Sequence, residues 1–140
     1  MNKAELLVYL RTCRYAVIGT IGPDGGPQGA LVGVAVTDDL ELIFDTAADS
    51  RKHGNLQHNS RIAATLSGPG EQTVQLEGRA HPVSVTAESD ADFRDAYYAA
   101  WPDGRERRSW PNIAYWRIAP CWARYSDYDR GPLMVEFDFA

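Results

Sequence analysis

Cysteine, histidine, long apolar runs and dense basic runs are all scarce in this chain. Cys13 and Cys121 are the two cysteines among 140 residues. They have no Cys-x-x-Cys spacing, which argues against a disulfide framework and for reduced thiols in a cytoplasmic protein. His53, His58 and His81 form no His-x-His or His-Glu-x-x-His pattern, so no metal site is expected. The N-terminal stretch carries acidic Glu5 and no long apolar run, which argues against an export signal, and no membrane partner is expected. Nor is there a basic stripe to neutralise nucleic-acid phosphates: net charge is −5 with a pI near 5.1, and Arg105, Arg107 and Arg108 are only a local cluster. Repeats and low-complexity segments are absent as well.

What remains is an ordinary globular composition, 44% hydrophobic and 24% charged, in a length suited to one domain over 1–140. Asn2 followed by Glu5 has capping-box spacing, and Leu6, Leu7, Leu10 and Cys13 form a helical stripe, predicting a helix from Lys3 to Cys13. Tyr15–Ile21 reads as a strand, and the Pro- and Gly-rich run after it as a hairpin turn. The second arm, Gln28 to Thr37, is small and apolar on both faces, as in a strand buried on two sides. Gly29 and Gly33 within it suit either tight barrel packing or close approach of another backbone or a flat ligand.

Leu40, Leu42 and Phe44 alternate with Glu41, Ile43 and Asp45 up to Thr46, the period of a strand. Asp49 or Ser50 can then cap a helix reaching His58, which puts Arg51 and Lys52 in its first turn. Cations there oppose the helix dipole unless an anion is bound. Free amides, the Thr46 and Ser50 hydroxyls and the two cations would cradle a phosphate; two solvated surface cations are the alternative.

Further strands are expected at Arg61–Ser67 and Gln72–Val85, with a bend at Gly78. Thr73, Gln75, Glu77 and Arg79 share one face of the second, which is either solvated or lines a polar site. Ser89 can cap a helix carrying Phe93, Ala96, Tyr97 and Ala100 and ending before Pro102. Pro102–Asn112 reads as a mobile loop. Ile113–Ala119, Trp122–Tyr128 and Leu133–Phe139 read as three closing strands. The sum is a mainly β fold with flanking helices, a six- to seven-stranded antiparallel barrel.

Thr46-x-x-x-Ser50-Arg51-Lys52, followed by Asn59 and Arg61-Ile62-Ala63, resembles the FMN-binding segment of the pyridoxamine 5′-phosphate oxidase-like split-barrel family. Val74-Gln75-Leu76-Glu77-Gly78 is similar to that family's V-R-V-E-G, and the order of elements agrees from about Tyr15 to Tyr128. The resemblance implies FMN as cofactor, with Arg51 and Lys52 on its phosphate and Thr46 and Ser50 adding hydroxyls. It places the backbone of Leu31 and Val32 along the isoalloxazine, and Thr73 and Gln75 near the ring or ribityl chain. A homodimer with flavin in a groove between subunits is implied too.

Against the oxidases themselves two cations are missing. Gly29 or Ala30 and Val34 or Ala35 stand where the second strand carries Arg and Lys, and Trp101 replaces the Arg of Y-F-x-S-R-P. The oxidases' Arg-containing C-terminal signature is likewise not found, so the chain resembles more closely the short general-stress-protein-like members. The resulting expectation is an FMN-dependent oxidoreductase acting on a small molecule beneath Trp101, Trp116 or Trp122, although those tryptophans also suit core or dimer contacts. The rivals are a deazaflavin-dependent reductase on the same barrel and a non-catalytic flavin-binding or stress-related module.

Overall fold

The computed structural model describes residues 1–139. The elements are α1 (Lys3–Leu10), β1 (Tyr15–Ile21), β2 (Pro27–Gly33), β3 (Ala35–Val36), β4 (Leu42–Ala47), α2 (Arg51–His58), β5 (Arg61–Ser67), β6 (Gln72–Val83), α3 (Ala91–Ala100), α4 (Gly104–Arg107), β7 (Ile113–Asp127) and β8 (Leu133–Asp138). The strands form one antiparallel sheet in the order β2-β1-β5-β6-β7-β4-β3, with β8 pairing to β7 off this path. The sheet curls around its core into the split barrel that the sequence predicts, with β2 brought close to β4.

Helix α1 has the predicted capping box, Glu5 N–H donating to Asn2 Oδ1 at 2.8 Å and Asn2 N–H to Glu5 Oε1 at 3.2 Å. It ends at Leu10, and the next two residues turn the chain so that Cys13 still reaches the core. The alternation in β5 is complete: Ile62, Ala64 and Leu66 are buried, and Arg61, Ala63, Thr65 and Ser67 exposed. Gly78 marks the predicted bend. Register shifts there, and a Cβ at Gly78 would lie 2.2 Å from the Ala119 carbonyl oxygen, which only glycine tolerates.

Four expectations change. The two-sided buried strand is β4, where Leu42, Ile43 and Phe44 are all fully buried, because both core clusters meet on it. β2 is instead a sheet edge with one exposed face, and it breaks at Val34 before β3. The two strands predicted within 113–128 are one, since β7 follows the β6 bend without interruption. Finally, Asp90 rather than Ser89 precedes α3, and its carboxylate accepts the Ser84 N–H at 2.7 Å instead of capping the helix.

Candidate functional site

At the start of α2 the chain builds its cap from its own side chains. Ser50 Oγ accepts the His53 N–H at 3.3 Å and lies 2.9 Å from Thr46 Oγ1. That hydroxyl pair uses one of its two protons internally and leaves one to donate outward. The Arg51 and Lys52 amides, at the head of the helix, have no carbonyl one turn behind them. Among the described residues, neither the Arg51 nor the Lys52 side chain pairs with a carboxylate, although five other ion pairs form. Among the described residues, two cations without a carboxylate partner and two amides without an intrahelical acceptor thus stand at the head of α2, directly after the Thr46–Ser50 hydroxyl pair.

The cations face the exposed edge of β2. Arg51 and Lys52 line a hollow of about 130 Å³ with Thr20, Gln28, Gly29 and Ala30. That is the liquid volume of about four waters, room for a phosphate group. A larger hollow of about 710 Å³ opens beside it between the β1–β2 hairpin and α2. Beyond Gly29 the β2 edge continues past Leu31 and Val32, with no strand bonded to its outer side among the described residues. A Cβ on Gly29 would meet only Val17 Cγ1, at 3.9 Å, so the backbone there is open to a flat group.

Sequence reasoning missed the residues that fix this arrangement. Asn55 is buried, and its side-chain amide donates to Thr20 Oγ1 at 3.0 Å and to Gln28 Oε1 at 2.9 Å, tying α2 to β1 and β2. Asp45, next to Thr46, accepts from Arg107 Nε and from the Tyr97 hydroxyl, both at 2.9 Å. Burial and the neighbouring Asp45 push the Tyr97 hydroxyl's pKa far above that of free tyrosine. For Arg107 the cost of burial is outweighed by hydrogen bonds to Asp45 and Asp103, which keep it charged. Asn112 adds a third hold on the turn: its carbonyl accepts the Ala48 N–H at 2.6 Å, and its amide reaches Asp49 Oδ1 at 3.4 Å. The stretch 102–112, expected as a mobile loop, therefore contains α4 and clamps the turn. A spacing rule could not find these partners, since they lie more than sixty residues away in sequence.

The predicted tryptophans do not share a pocket within one chain. Trp116 is a core residue whose indole N–H donates to His53 Nδ1 at 3.0 Å. Trp122 is half-buried, with the Arg124 guanidinium 5.5 Å from its ring. Trp101 is anchored by its N–H to the Val34 carbonyl at 2.9 Å, and its ring fills the space that a Gly33 side chain would occupy. Thr73 and Gln75 lie on the outer face of β6, three strand positions from β2, or about 14 Å. Within one chain they are not beside Arg51 and Lys52.

Comparisons with known proteins agree on the family and the fold. Residues 3–127 match the family profile of pyridoxamine 5′-phosphate oxidase. Curated relatives include the pyridoxine/pyridoxamine 5′-phosphate oxidases of Chromobacterium violaceum, 31% identical over 94 residues (66% of this chain, 41% of that protein), and Haemophilus influenzae, 33% over 86 (61% and 38%). The chain thus spans about two fifths of the length of these relatives.

Among solved structures, a heme binding protein from Mycobacterium smegmatis superposes with TM-score 0.83 at 15% identity, over 96% of this chain and 56% of that one. General Stress Protein 26 from Bacillus anthracis gives 0.72 at 19%, over 96% and 98%. A pyridoxamine 5′-phosphate oxidase-related, FMN binding protein from Nostoc punctiforme gives 0.69 at 16%, over 99% and 94%. At such identities these structures speak for the fold alone. With the profile running through nearly every element from α1 to the end of β7, the chain belongs to the pyridoxamine 5′-phosphate oxidase family.

Proposed function

We propose that this protein is an FMN-binding oxidoreductase that works as a homodimer on a small molecule. The observation that carries the reading is the pair of unpartnered cations, Arg51 and Lys52, at the start of α2, facing the open edge of β2. The donor set fits a flavin mononucleotide. A phosphate dianion takes the cations, the amides and the free hydroxyl proton, while the Leu31–Val32 backbone offers its unpaired groups to the edge of a flat heterocycle. FMN, when bound, supplies the hydride or electron chemistry. The chain's part is to hold the phosphate, align the ring along β2 and keep α2 rigid through Asn55.

The dimer reading rests on the outer face of β1 and β2. Leu31 is 66% exposed and lies opposite Val17, itself 51% exposed, with Tyr15 two residues along. Contiguous apolar side chains of this kind favour burial against a second copy. A second copy would also explain Thr73 and Gln75, which sit too far from their own cradle and would serve the partner's.

The visible spectrum of freshly purified protein, with the released cofactor weighed by mass spectrometry, tests the cofactor. FMN bands support the reading; a deazaflavin or a haem Soret band replaces it. Light scattering tests the assembly, and a mass near the 15.5 kDa of one chain at micromolar concentration with flavin bound overturns the shared groove.

A further inference from the structure

A cleft of about 350 Å³ lies on the other side of the β2–β3 junction, away from Arg51 and Lys52. Its floor is the run Val34 to Val36. One wall is the α3 face of Ala96 and Ala100, and Arg11 and Arg14 line it from the end of α1. Among the described residues no acidic side chain lines it, in a chain whose net charge is −5. The two arginines are not equivalent. Arg11 is spent: its guanidinium donates to the Val36 carbonyl at 3.1 Å and pairs with Asp38 at 2.7 Å. Arg14 pairs with no carboxylate among the described residues. It is held instead by stacking, its guanidinium carbon 4.0 Å from the centre of the Trp101 ring, which is fixed to Val34 and flanked edge-on by Tyr15.

We infer that this cleft is a second small-molecule site, one that binds a compact monocarboxylate with an aromatic or branched apolar body. A guanidinium stacked on an indole keeps the in-plane N–H edge free for bidentate bonding to a carboxylate, and the stacking has already removed much of the rotamer freedom that binding would otherwise cost. The alanines and valines leave an apolar volume at the lower end of known ligand pockets, enough for a ring or a branched chain and too small for a nucleotide. Neutralisation of Arg11 by Asp38 leaves one net positive charge, which matches a monoanion. Neither Arg51 nor Lys52 contributes to the site, so its occupancy does not require the flavin, although Trp101 and Val34 or Ala35 are the positions aligned with the oxidases' substrate-binding cations.

The test uses the full chain, with and without FMN. Benzoate, cyclohexanecarboxylate and isovalerate are titrated separately by calorimetry, with tryptophan fluorescence as a second readout because Trp101 adjoins the charge. At least one of the three is expected to bind saturably. Arg14→Gln should weaken that binding at least tenfold, and the matching neutral amide should bind at least tenfold more weakly. Ala96→Leu, which fills the cleft and leaves Arg14 in place, should abolish binding while the thermal melt shows an intact fold. Four results would overturn the site: no binding by any of the three acids, equal binding by the amide, equal binding by both variants, or displacement by sulfate at fixed ionic strength, the mark of a bare surface cation. If FMN proves not to bind while an acid does, the flavin reading falls and the cleft stands; the reverse outcome leaves the flavin reading alone.

Discussion

Replacing Arg51 and Lys52 by alanine separates binding from folding at the proposed phosphate cradle. Neither side chain has a carboxylate partner among the described residues, and Arg51 is exposed, so the fold loses little when either goes. Surface substitutions of this kind stay within about 0.5 kcal/mol, and removing two cations from a helix N-terminus relieves an unfavourable dipole contact. Binding behaves oppositely. Each charge-assisted bond to a phosphate is worth roughly 1.5–3 kcal/mol, so each substitution should raise the FMN dissociation constant about ten- to hundredfold. The double variant should lose less than the product, because the two cations share one dianion.

Asn55→Ala gives the contrasting pattern. It removes a buried amide that donates to both Thr20 and Gln28, which costs roughly 1–3 kcal/mol of stability before any flavin is added. Fluorescence titration of apo-protein with FMN, beside urea denaturation of each variant, measures both quantities. Wild-type FMN affinity in both single cation variants would refute the placement of the cradle. A loss of stability in those variants equal to that of Asn55→Ala would refute the claim that the cations are free.

Three other outcomes are expected. Arg107→Leu should lower stability by about 2 kcal/mol, less than a fully buried pair would because Arg107 and Asp45 keep some exposure, and should loosen FMN binding through the Thr46 turn; denaturation and FMN titration of the variant measure both. Burial lowers the His53 pKa, and the Trp116 N–H bonded to Nδ1 requires that nitrogen unprotonated, so the neutral ring stabilises the fold. That contribution is fully present above the unfolded value of about 6.5 and is lost as pH falls through the depressed folded value; His53→Gln should flatten the loss in a melting series from pH 7.5 to 5, and NMR titration should place the His53 pKa below 6.5. FMN-loaded protein should form pyridoxal 5′-phosphate from pyridoxamine or pyridoxine 5′-phosphate two to four powers of ten below an authentic oxidase in kcat/KM, since Trp101 and Val34 or Ala35 replace two cations worth roughly 3–6 kcal/mol together; a steady-state assay at oxidase-like turnover would refute this.

Local rules were enough where a residue's partner is close in sequence. The Asn2–Glu5 box, the Ser50 cap, the alternation of β5 and the Gly78 bend each depend on spacings of a few residues, and each is found. The misread strand shows where such rules stop. Ala30 to Val36 looked two-sided because its residues are small and apolar, yet smallness there serves Trp101, whose ring would collide with a side chain at Gly33, 2.7 Å from the added carbon. β4 looked one-sided because Glu41 and Asp45 alternate with apolar neighbours, yet Glu41 pairs with Arg117 and Asp45 with Arg107, so charge does not mark solvent there. The loop before β7 looked mobile for the same reason: nothing within it announces that Arg107 has a partner on β4.

The cradle illustrates the consequence for function. Its cations are legible because they stand in a place that local electrostatics disfavours. Their geometry depends on tertiary contacts, because α2 has only eight residues and isolated helices of that length are marginal in water. Asn55 fixes the inner face of α2 to β1 and β2, and Trp116 holds its first turn through His53. Arg107 and Asn112 hold the turn before it through Asp45, Ala48 and Asp49. Asn55 holds Thr20 and Gln28, which line the hollow together with Arg51 and Lys52, whereas the contacts through His53, Asp45, Ala48 and Asp49 lie outside that lining. The unfavourable placement of two cations is therefore carried by tertiary contacts of other side chains, which leave Arg51 and Lys52 without a carboxylate partner among the described residues and so open to the anion proposed for them.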